Sequence, residues 1–491
     1  LTGNENGGKA GERVTTENGN RKRQLRTAIV NDNRERKRKI IKSMTDMNKI
    51  EKALQRTTDT KALIIENGAI RRVPEMFRSL FGEKKAVVIA DKNTYAVAGK
   101  IVNEELEKTG IATAKPLIIE DADLFAEWHF MEMVENHLRA SGAIPVAVGS
   151  GVINDLTKYA STLLNLKYMI VGTAASMDGY TAFGASITYK GNKQTFDCHA
   201  PYGMVFDPKI AAKAPKGMSA SGYADLIAKI PAGADWMLAE AAGAEPIDKF
   251  SFDLVQDDLK EALSEPDAVA AGEVKPTEKL AEGLIMSGFA MQALQTSRPA
   301  SGMEHQFSHY WDMEGLCYQG KHVSHGFKVG IGTLVSTACY EFLLNYDFSK
   351  LNAGKCAEMW PEWDGIKKEI EEIFKEKPTL RERALKESKA KYVSGEAIKK
   401  EIEDVRKAWP ELKNELKKQL YSFDKIKDML KRVGAPYEPE MIGVSRERLK
   451  ETFRGIPYMR SRYSAIDFIL RAGLTGDVTT CLFGKGGRWE I

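Results

Sequence analysis

Between residues 61 and 172, short and purely apolar runs alternate with longer stretches of helical periodicity. Ala62-Leu63-Ile64-Ile65, Ala86-Val87-Val88-Ile89-Ala90, Ile144-Pro145-Val146-Ala147-Val148 and residues 115–120 and 169–172 read as strands, whereas 73–80, 97–107, 126–141 and 155–164 read as helices. These strands are apolar throughout rather than at every second position, so both of their faces must be covered. A parallel sheet with helices packed on each side meets that requirement. A further run at 185–189 is expected to extend the sheet. After about Pro208 helical periodicity takes over, at 223–230, 234–240, 279–295, 303–311 and 328–346. The expected fold is an α/β N-terminal parallel-sheet domain, residues 44–208, followed by an all-helical C-terminal domain, residues 209–491.

A chain of 491 residues exceeds one compact core, which agrees with two domains plus appendages. The net charge of +4 is small, and much of it sits in Arg21-Lys22-Arg23 and Arg34-Glu35-Arg36-Lys37-Arg38-Lys39. Residues 1–43 lack apolar periodicity and are expected to be a disordered, dispensable basic extension. Residues 355–430 are charge-dense and helical, and read as an insertion of solvated helix faces laced with i,i+4 pairs. The five cysteines are odd in number and show no paired spacing, which fits reduced thiols. No run approaches a membrane span, and the N-terminus lacks the apolar core of a secretory signal. The expectation is a soluble, cytoplasmic protein that binds neither nucleic acid nor membrane.

Two constellations carry chemistry. Val146-Ala147-Val148-Gly149-Ser150-Gly151-Val152-Ile153-Asn154-Asp155 reads as a strand, a glycine turn and a helix start, where free N–H groups receive a pyrophosphate. Asn154 stands where the usual fingerprint has its third glycine. Asp91, at the end of the 86–90 strand, either accepts from a ribose hydroxyl or caps a helix. It precedes the glycines in sequence, the reverse of the ordinary order.

Four of the seven histidines form the second constellation, at His305, His309, His322 and His325. His305 and His309 are i,i+4 and share one helix face. His325 lies in the turn Ser324-His325-Gly326, and spacing does not separate it from His322. Upstream, Asp225 sits among apolar neighbours in Gly222-Tyr223-Ala224-Asp225-Leu226-Ile227-Ala228-Lys229. A buried acid needs a cation or donors, so it either binds a metal or pairs with Lys229. One carboxylate and two imidazoles leave an open position on a divalent cation, as catalytic sites do.

Together these residues resemble the iron-containing alcohol dehydrogenase and dehydroquinate synthase superfamily, and within it the sn-glycerol-1-phosphate dehydrogenase family, particularly its bacterial branch. The resemblance is carried by residues 149–159, 172–181 (Gly-Thr-Ala-Ala-Ser-Met-Asp-Gly-Tyr-Thr), 222–229, 301–309 (Ser-Gly-Met-Glu-His-Gln-Phe-Ser-His) and 325–326. It implies Asp225, His305 and His325 as ligands of one divalent metal, zinc or nickel with iron also compatible. It implies His309 and Asp178 as catalytic residues, the first relaying a proton and the second holding substrate hydroxyls. Gly149, Ser150, Gly151, Asn154, Asp155, Thr173 and Ser176 would line NAD(H) or NADP(H), with Asp91 at the adenosine ribose. Ala182 stands where the family often has a cofactor-contacting serine, and Ser150 where glycine is usual. The resemblance also implies an α/β N-terminal Rossmann-like parallel-sheet domain plus an all-helical C-terminal domain with the active site in the cleft between them, and a homodimer or higher homo-oligomer.

The expected reaction is reversible reduction of dihydroxyacetone phosphate to sn-glycerol 1-phosphate, a step of phospholipid biosynthesis. Asp225, His309, Asp178 and Lys229 would meet this phosphorylated triose. Lys229, Arg460 and Arg462 are the candidate anion donors, with Lys229 the best placed by sequence. A polyol dehydrogenase acting without phosphate is the nearest alternative. A cyclase of the dehydroquinate synthase type is disfavoured because no dense set of Lys and Arg surrounds the metal motifs, and nucleic-acid binding through the tail is disfavoured by the tail's separation from the fold.

Overall fold

The computed structural model describes residues 49–121 and 123–491, so the basic extension at 1–43 lies outside the described residues. Contacts divide the chain at Gln55. Of the N-terminal unit only residues 49–55, within the helix Lys49–Arg56, are described, and the second unit, Arg56–Ile491, carries the sheet and the remaining helices.

Six strands form one parallel sheet: β1 (Ala62–Ile65), β2 (Ala86–Asp91), β3 (Leu117–Ile119), β4 (Ile144–Gly149), β5 (Met169–Gly172) and β8 (Gly203–Phe206), in the order β1-β8-β5-β4-β2-β3. Val87, Val88, Ile89, Val146, Ala147, Val148, Ile170 and Val171 have no exposed surface, as expected for strands covered on both faces. Burial of this kind contributes roughly 1.5–3 kcal/mol per large side chain and holds the sheet rigid beneath the loops at its edge. The chain leaves β2 for the edge strand β3, returns to β4 and then moves the other way to β5. That reversal opens a crevice between the C-terminal ends of β2 and β4, the position where open α/β sheets bind ligands.

The run at 185–189 does not extend the sheet. β6 (Ala185–Tyr189) pairs antiparallel with β7 (Asn192–Phe196) as a separate hairpin, and β8 takes the place beside β5. Burial alternates along Ala185, Ser186 and Ile187, which is the signature of a strand covered on one face only. Trp128 of α4 (Trp128–Ser141) packs its ring 4.5 Å from that of Tyr189 and 5.5 Å from that of Phe196, anchoring the hairpin.

From residue 208 onward the described chain is mainly helical. Its central elements are α6 (Lys216–Ile227), α7 (Lys229–Ala241), α8 (Val274–Leu294), α9 (Met303–Met313) and α10 (His325–Asn345). Helix α10 corrects one expectation, because by length and apolarity it could cross a membrane. Most of it is buried inside the protein against α6 and α9, so here it serves as a core helix.

Residues 355–430 are likewise more than solvated faces. In the helix Gly395–Gln419, Ile398, Ile402, Val405, Trp409, Leu412 and Leu416 form a buried stripe at helical spacing. Trp409 stacks on Phe348 with centroids 3.6 Å apart, and Gln419 Nε2 donates to the Ile230 carbonyl at 3.0 Å. The charged residues cover the outer side of helices whose inner side belongs to the core.

Candidate active site

Asp225, His305 and His325 converge. Their ligand-capable atoms all lie within 4.8 Å of one another, and they form the cluster of this kind among the described residues. Asp225 projects from the last turn of α6, His305 from the first turn of α9, and His325 opens α10 behind the N-cap Ser324. The expected alternative, His322, lies elsewhere: it is exposed on the short strand Lys321–His322, beside Cys317 Sγ at 3.4 Å and the Phe125 ring at 5.0 Å.

The chain holds these side chains in ligand-ready orientations. Glu304 Oε1 accepts from Nδ1 of His305 at 2.7 Å, which aims Nε2 toward Asp225, 3.6 Å from Oδ1. Ser308 Oγ lies 3.1 Å from Nδ1 of His325, leaving Nε2 for a ligand role. Such outer contacts fix ring orientation in metal sites. Burial would raise the Asp225 pKa, but Lys229 and the two imidazoles outweigh it and hold the carboxyl well below its usual range. Burial pushes His325 down to about 3, so its ring is neutral and able to donate a lone pair. A carboxylate with two imidazoles fits a borderline divalent cation such as zinc, nickel or iron(II).

Close helix approaches make the convergence possible. A Cβ on Gly326 would stand 1.9 Å from the Ser221 carbonyl oxygen, and one on Gly222 would stand 2.0 Å from that of Ala175. Both obstacles are backbone, so α10 presses onto α6, and α6 onto the 173–178 loop, only because these positions are glycine. Gly326→Ala is therefore expected to shift His325, lowering stability by about 1–3 kcal/mol and weakening metal binding roughly ten- to hundredfold. Metal titration and thermal melting check this; unchanged affinity would show that the helices can part without moving the ligand.

Lys229 opens α7, fully buried, with Nζ 2.8 Å from Asp225 Oδ1 and 2.8 Å from Asp178 Oδ2. Asp178 also accepts from Ser287 Oγ at 3.1 Å, and its backbone N donates to Asp225 Oδ2 at 3.1 Å. Sequence left Lys229 between an anion donor and an ion pair, and favoured its placement for phosphate. The structure corrects that preference: the ammonium is closed between two carboxylates. His309 follows His305 by one turn, with ring centroids 6.5 Å apart, and its Nε2 lies 3.2 Å from Nη1 of Arg460. Burial first and the Arg460 charge second hold His309 well below the usual imidazole range, which keeps the ring neutral. His309, His325, Asp178 and Arg460 all remain partly exposed while Asp225 is closed off, so the cluster opens toward solvent on their side.

At the crevice, α5 (Gly151–Leu163) begins four residues earlier than its periodicity suggests, so its N-terminus coincides with the glycine turn. Ser150 is the N-cap but makes no side-chain cap hydrogen bond. Thr173 N donates to the Gly149 carbonyl at 3.1 Å, laying the 173–178 loop with Ser176 beside the turn. Asp91 ends β2 next to β4, since Ile89 pairs with Ala147 in parallel register. It caps the turn Lys92–Thr94, with Oδ1 accepting from Asn93 N and Thr94 N and Oδ2 from Thr94 Oγ1. The N–H groups of a helix start, flanked by an acid on the neighbouring strand, suit a dinucleotide.

The iron-containing alcohol dehydrogenase family pattern matches residues 64–215. Glycerol-1-phosphate dehydrogenase (NAD(P)+) of Halalkalibacterium halodurans is 34% identical over 281 residues, 57% of this chain and 70% of that protein. Its counterpart from Bacillus licheniformis is 31% identical over 341 residues, 66% of this chain and 84% of that protein. The chain belongs to the glycerol-1-phosphate dehydrogenase family. It is an oxidoreductase. The fold is shared with a glycerol dehydrogenase from Schizosaccharomyces pombe, at a TM-score of 0.55 and 16% identity, covering 86% of this chain and 91% of that one.

Within this glycerol-1-phosphate dehydrogenase family member, two residues expected along the cofactor are occupied otherwise. Asn154 is fully buried, donating to the Gly179 carbonyl at 3.3 Å and accepting from Tyr168 Oη at 3.0 Å. Asp155 accepts from Ser186 N at 3.1 Å and so ties α5 to the β6–β7 hairpin. Both side chains thereby brace the segment that follows the 173–178 loop. Sequence reasoning also missed Lys158, which has no exposed surface. Its Nζ donates to the carbonyls of Gly179, Ala182 and Gly184 at 3.0, 2.9 and 3.0 Å, fixing the loop that carries Asp178. A lysine one helical turn beyond Asn154 was the available signal.

Proposed function

We propose that this protein reversibly reduces dihydroxyacetone phosphate to sn-glycerol 1-phosphate with NAD(P)H, and that Asp225, His305 and His325 hold the one divalent cation it needs. The observation that carries this reading is the convergence of those three side chains beside His309, joined to the glycine turn by the 173–178 loop, whose Thr173 N donates to Gly149 and whose Asp178 N donates to Asp225. The names of the relatives support the substrate and cofactor class.

A cation in this donor set supplies Lewis acidity toward the carbonyl oxygen, and the nicotinamide supplies the hydride. The protein's residues do the rest. Lys229 and Ser287 fix Asp178, whose carboxylate orients the substrate hydroxyl. Once the carbonyl carbon is reduced, its oxygen needs a proton. His309 is held neutral and its Nε2 accepts from Arg460, so it would give up the Nδ1 proton while solvent reprotonates Nε2 in place of the Arg460 contact, adding no charge beside that arginine.

Asp91 gives the cofactor a direction. Oδ1 takes both backbone donors, but Oδ2 accepts only from Thr94 Oγ1 and keeps a lone pair, so the carboxylate can accept from a ribose 2′-hydroxyl and repels a 2′-phosphate. Assay of the zinc- or nickel-reconstituted protein is expected to show reduction of dihydroxyacetone phosphate, with kcat/KM higher for NADH than for NADPH. Equal reduction of unphosphorylated dihydroxyacetone would replace this reading with a polyol dehydrogenase. A clear preference for NADPH would show that Asp91 does not face the ribose.

A further inference from the structure

The segment 456–463 lies far from the metal motifs in sequence, yet it delivers two guanidinium groups to the rim of the site. Arg460 donates from Nη1 to Ser301 Oγ at 3.2 Å and to His309 Nε2 at 3.2 Å, and from Nη2 to Ser297 Oγ at 3.3 Å. Arg462 donates from Nη1 to Ser301 Oγ at 2.9 Å and to the carbonyls of Ser301 and Ser297 at 2.8 and 3.3 Å. Its Nη2 donates to Ser297 Oγ at 2.8 Å and Thr296 Oγ1 at 3.4 Å. Neither forms an ion pair with a carboxylate among the described residues.

The contrast with Arg298, which lies between those two serines in sequence, is informative. That side chain is fully buried, but Glu245 lies 3.2 Å from its Nε and two backbone carbonyls take its other donors. Partly buried cations are normally compensated in this way. Around Arg460 and Arg462 the charge instead accumulates. Burial and then the neighbouring Arg383 pull Arg460 down to about 10, while burial and then Arg460 lower Arg462 well below the usual range. An arginine does not give up its proton in a protein, so this cluster keeps its charge and favours an anion.

We propose that Arg460, Arg462, Ser297 and Ser301 form the subsite that receives the phosphate monoester of the substrate. Guanidinium forks match phosphate oxygens in geometry as well as charge. Each serine hydroxyl that accepts from a guanidinium still has its own proton to donate to an oxyanion. The spacing suits a triose phosphate: its phosphorus lies one carbon and one ester oxygen beyond the carbonyl carbon, and Arg460 lies one side chain, that of His309, beyond the metal-ligating cluster. Lys229, sealed between Asp178 and Asp225, is then a positioning residue for those carboxylates.

The assignment rests on the proposed reduction of a phosphorylated triose, and one set of assays separates the two. The full-length, metal-reconstituted protein and its Arg462→Gln and Ser301→Ala variants are compared on dihydroxyacetone phosphate and dihydroxyacetone with NADH. Arg462 is chosen because it does not touch His309. Arg462→Gln is expected to lower kcat/KM for the phosphate ester roughly ten- to hundredfold, mainly through KM, as loss of a charge-assisted contact should. The same variant should change kcat/KM for dihydroxyacetone by no more than about threefold, because only the phosphate uses the contact. Ser301→Ala removes a single hydroxyl and carries the test if Arg462→Gln does not fold; its shift is expected in the same direction. Equal losses on both substrates would assign the cluster a structural role and overturn the proposal. So would a wild-type preference for the phosphate ester that both variants retain, in which case the reaction stands and only the subsite falls. A wild-type protein indifferent to the phosphate overturns both readings.

Discussion

Replacing His305 by alanine is expected to empty the metal site and abolish turnover together. The imidazole supplies one of three convergent donors, and without it Asp225 and His325 alone cannot close a site around a borderline cation. Losing the Lewis acid removes several kcal/mol of stabilisation of the developing negative charge, roughly a thousandfold or more in rate. Folding should survive. Glu304 loses one partner but keeps Gly302 N, which donates to Oε1 at 2.6 Å, so the cost is about 1–3 kcal/mol. Asp225→Asn offers an independent check, because Lys229 retains its contact with Asp178. Metal content and steady-state turnover are measured on the same samples. A His305→Ala protein that keeps a full complement of metal would refute the ligand assignment whatever its activity.

His309→Ala should separate the same two quantities. His309 shares a helix face with His305 but is not among the three convergent donors, so metal content is expected to remain near that of the wild type. Turnover should fall roughly a hundred- to ten-thousandfold, the usual contribution of a positioned proton-transfer group. The loss should appear in kcat more than in KM, because the proton moves during the chemical step. Arg460 loses one hydrogen-bond acceptor in this variant but keeps Ser297 and Ser301. Near-normal turnover would make His309 a packing residue that merely lines the approach to the metal.

Folding changes which of the sequence's arguments about charge survive. The metal motifs have few nearby cations in sequence, and that sparsity argued against cyclase-type chemistry. In three dimensions Lys229 lies against Asp178 and Asp225, while Arg460 touches His309 with Arg462 alongside it on the same two serines. The charge argument therefore does not separate the two chemistries; the relationship to glycerol-1-phosphate dehydrogenases does.

By itself the sequence determined everything that depends on local periodicity and residue chemistry. Continuous apolar runs required a sheet covered on both faces, and β2, β4 and β5 lie buried where those runs predicted. The i,i+4 spacing of His305 and His309 put both on one helix face, and buried Asp225 demanded a cation or donors; Lys229 provides one such partner. Tertiary structure decided what depends on long-range neighbours. Spacing could not choose between His322 and His325, because the choice rests on Gly326 allowing α10 to meet α6. The odd order of Asp91 and the glycines ceased to matter once β2 paired with β4. The polar alternation of 185–189 was legible, but which strand would take the place beside β5 was not. Packing likewise closes Lys229 between two carboxylates, whereas Arg460 has no carboxylate within ion-pair distance among the described residues. Sequence distance says nothing about whether a cation is already neutralised by carboxylates brought from other elements, and that compensation, set by packing alone, decides which cation is left to meet a substrate.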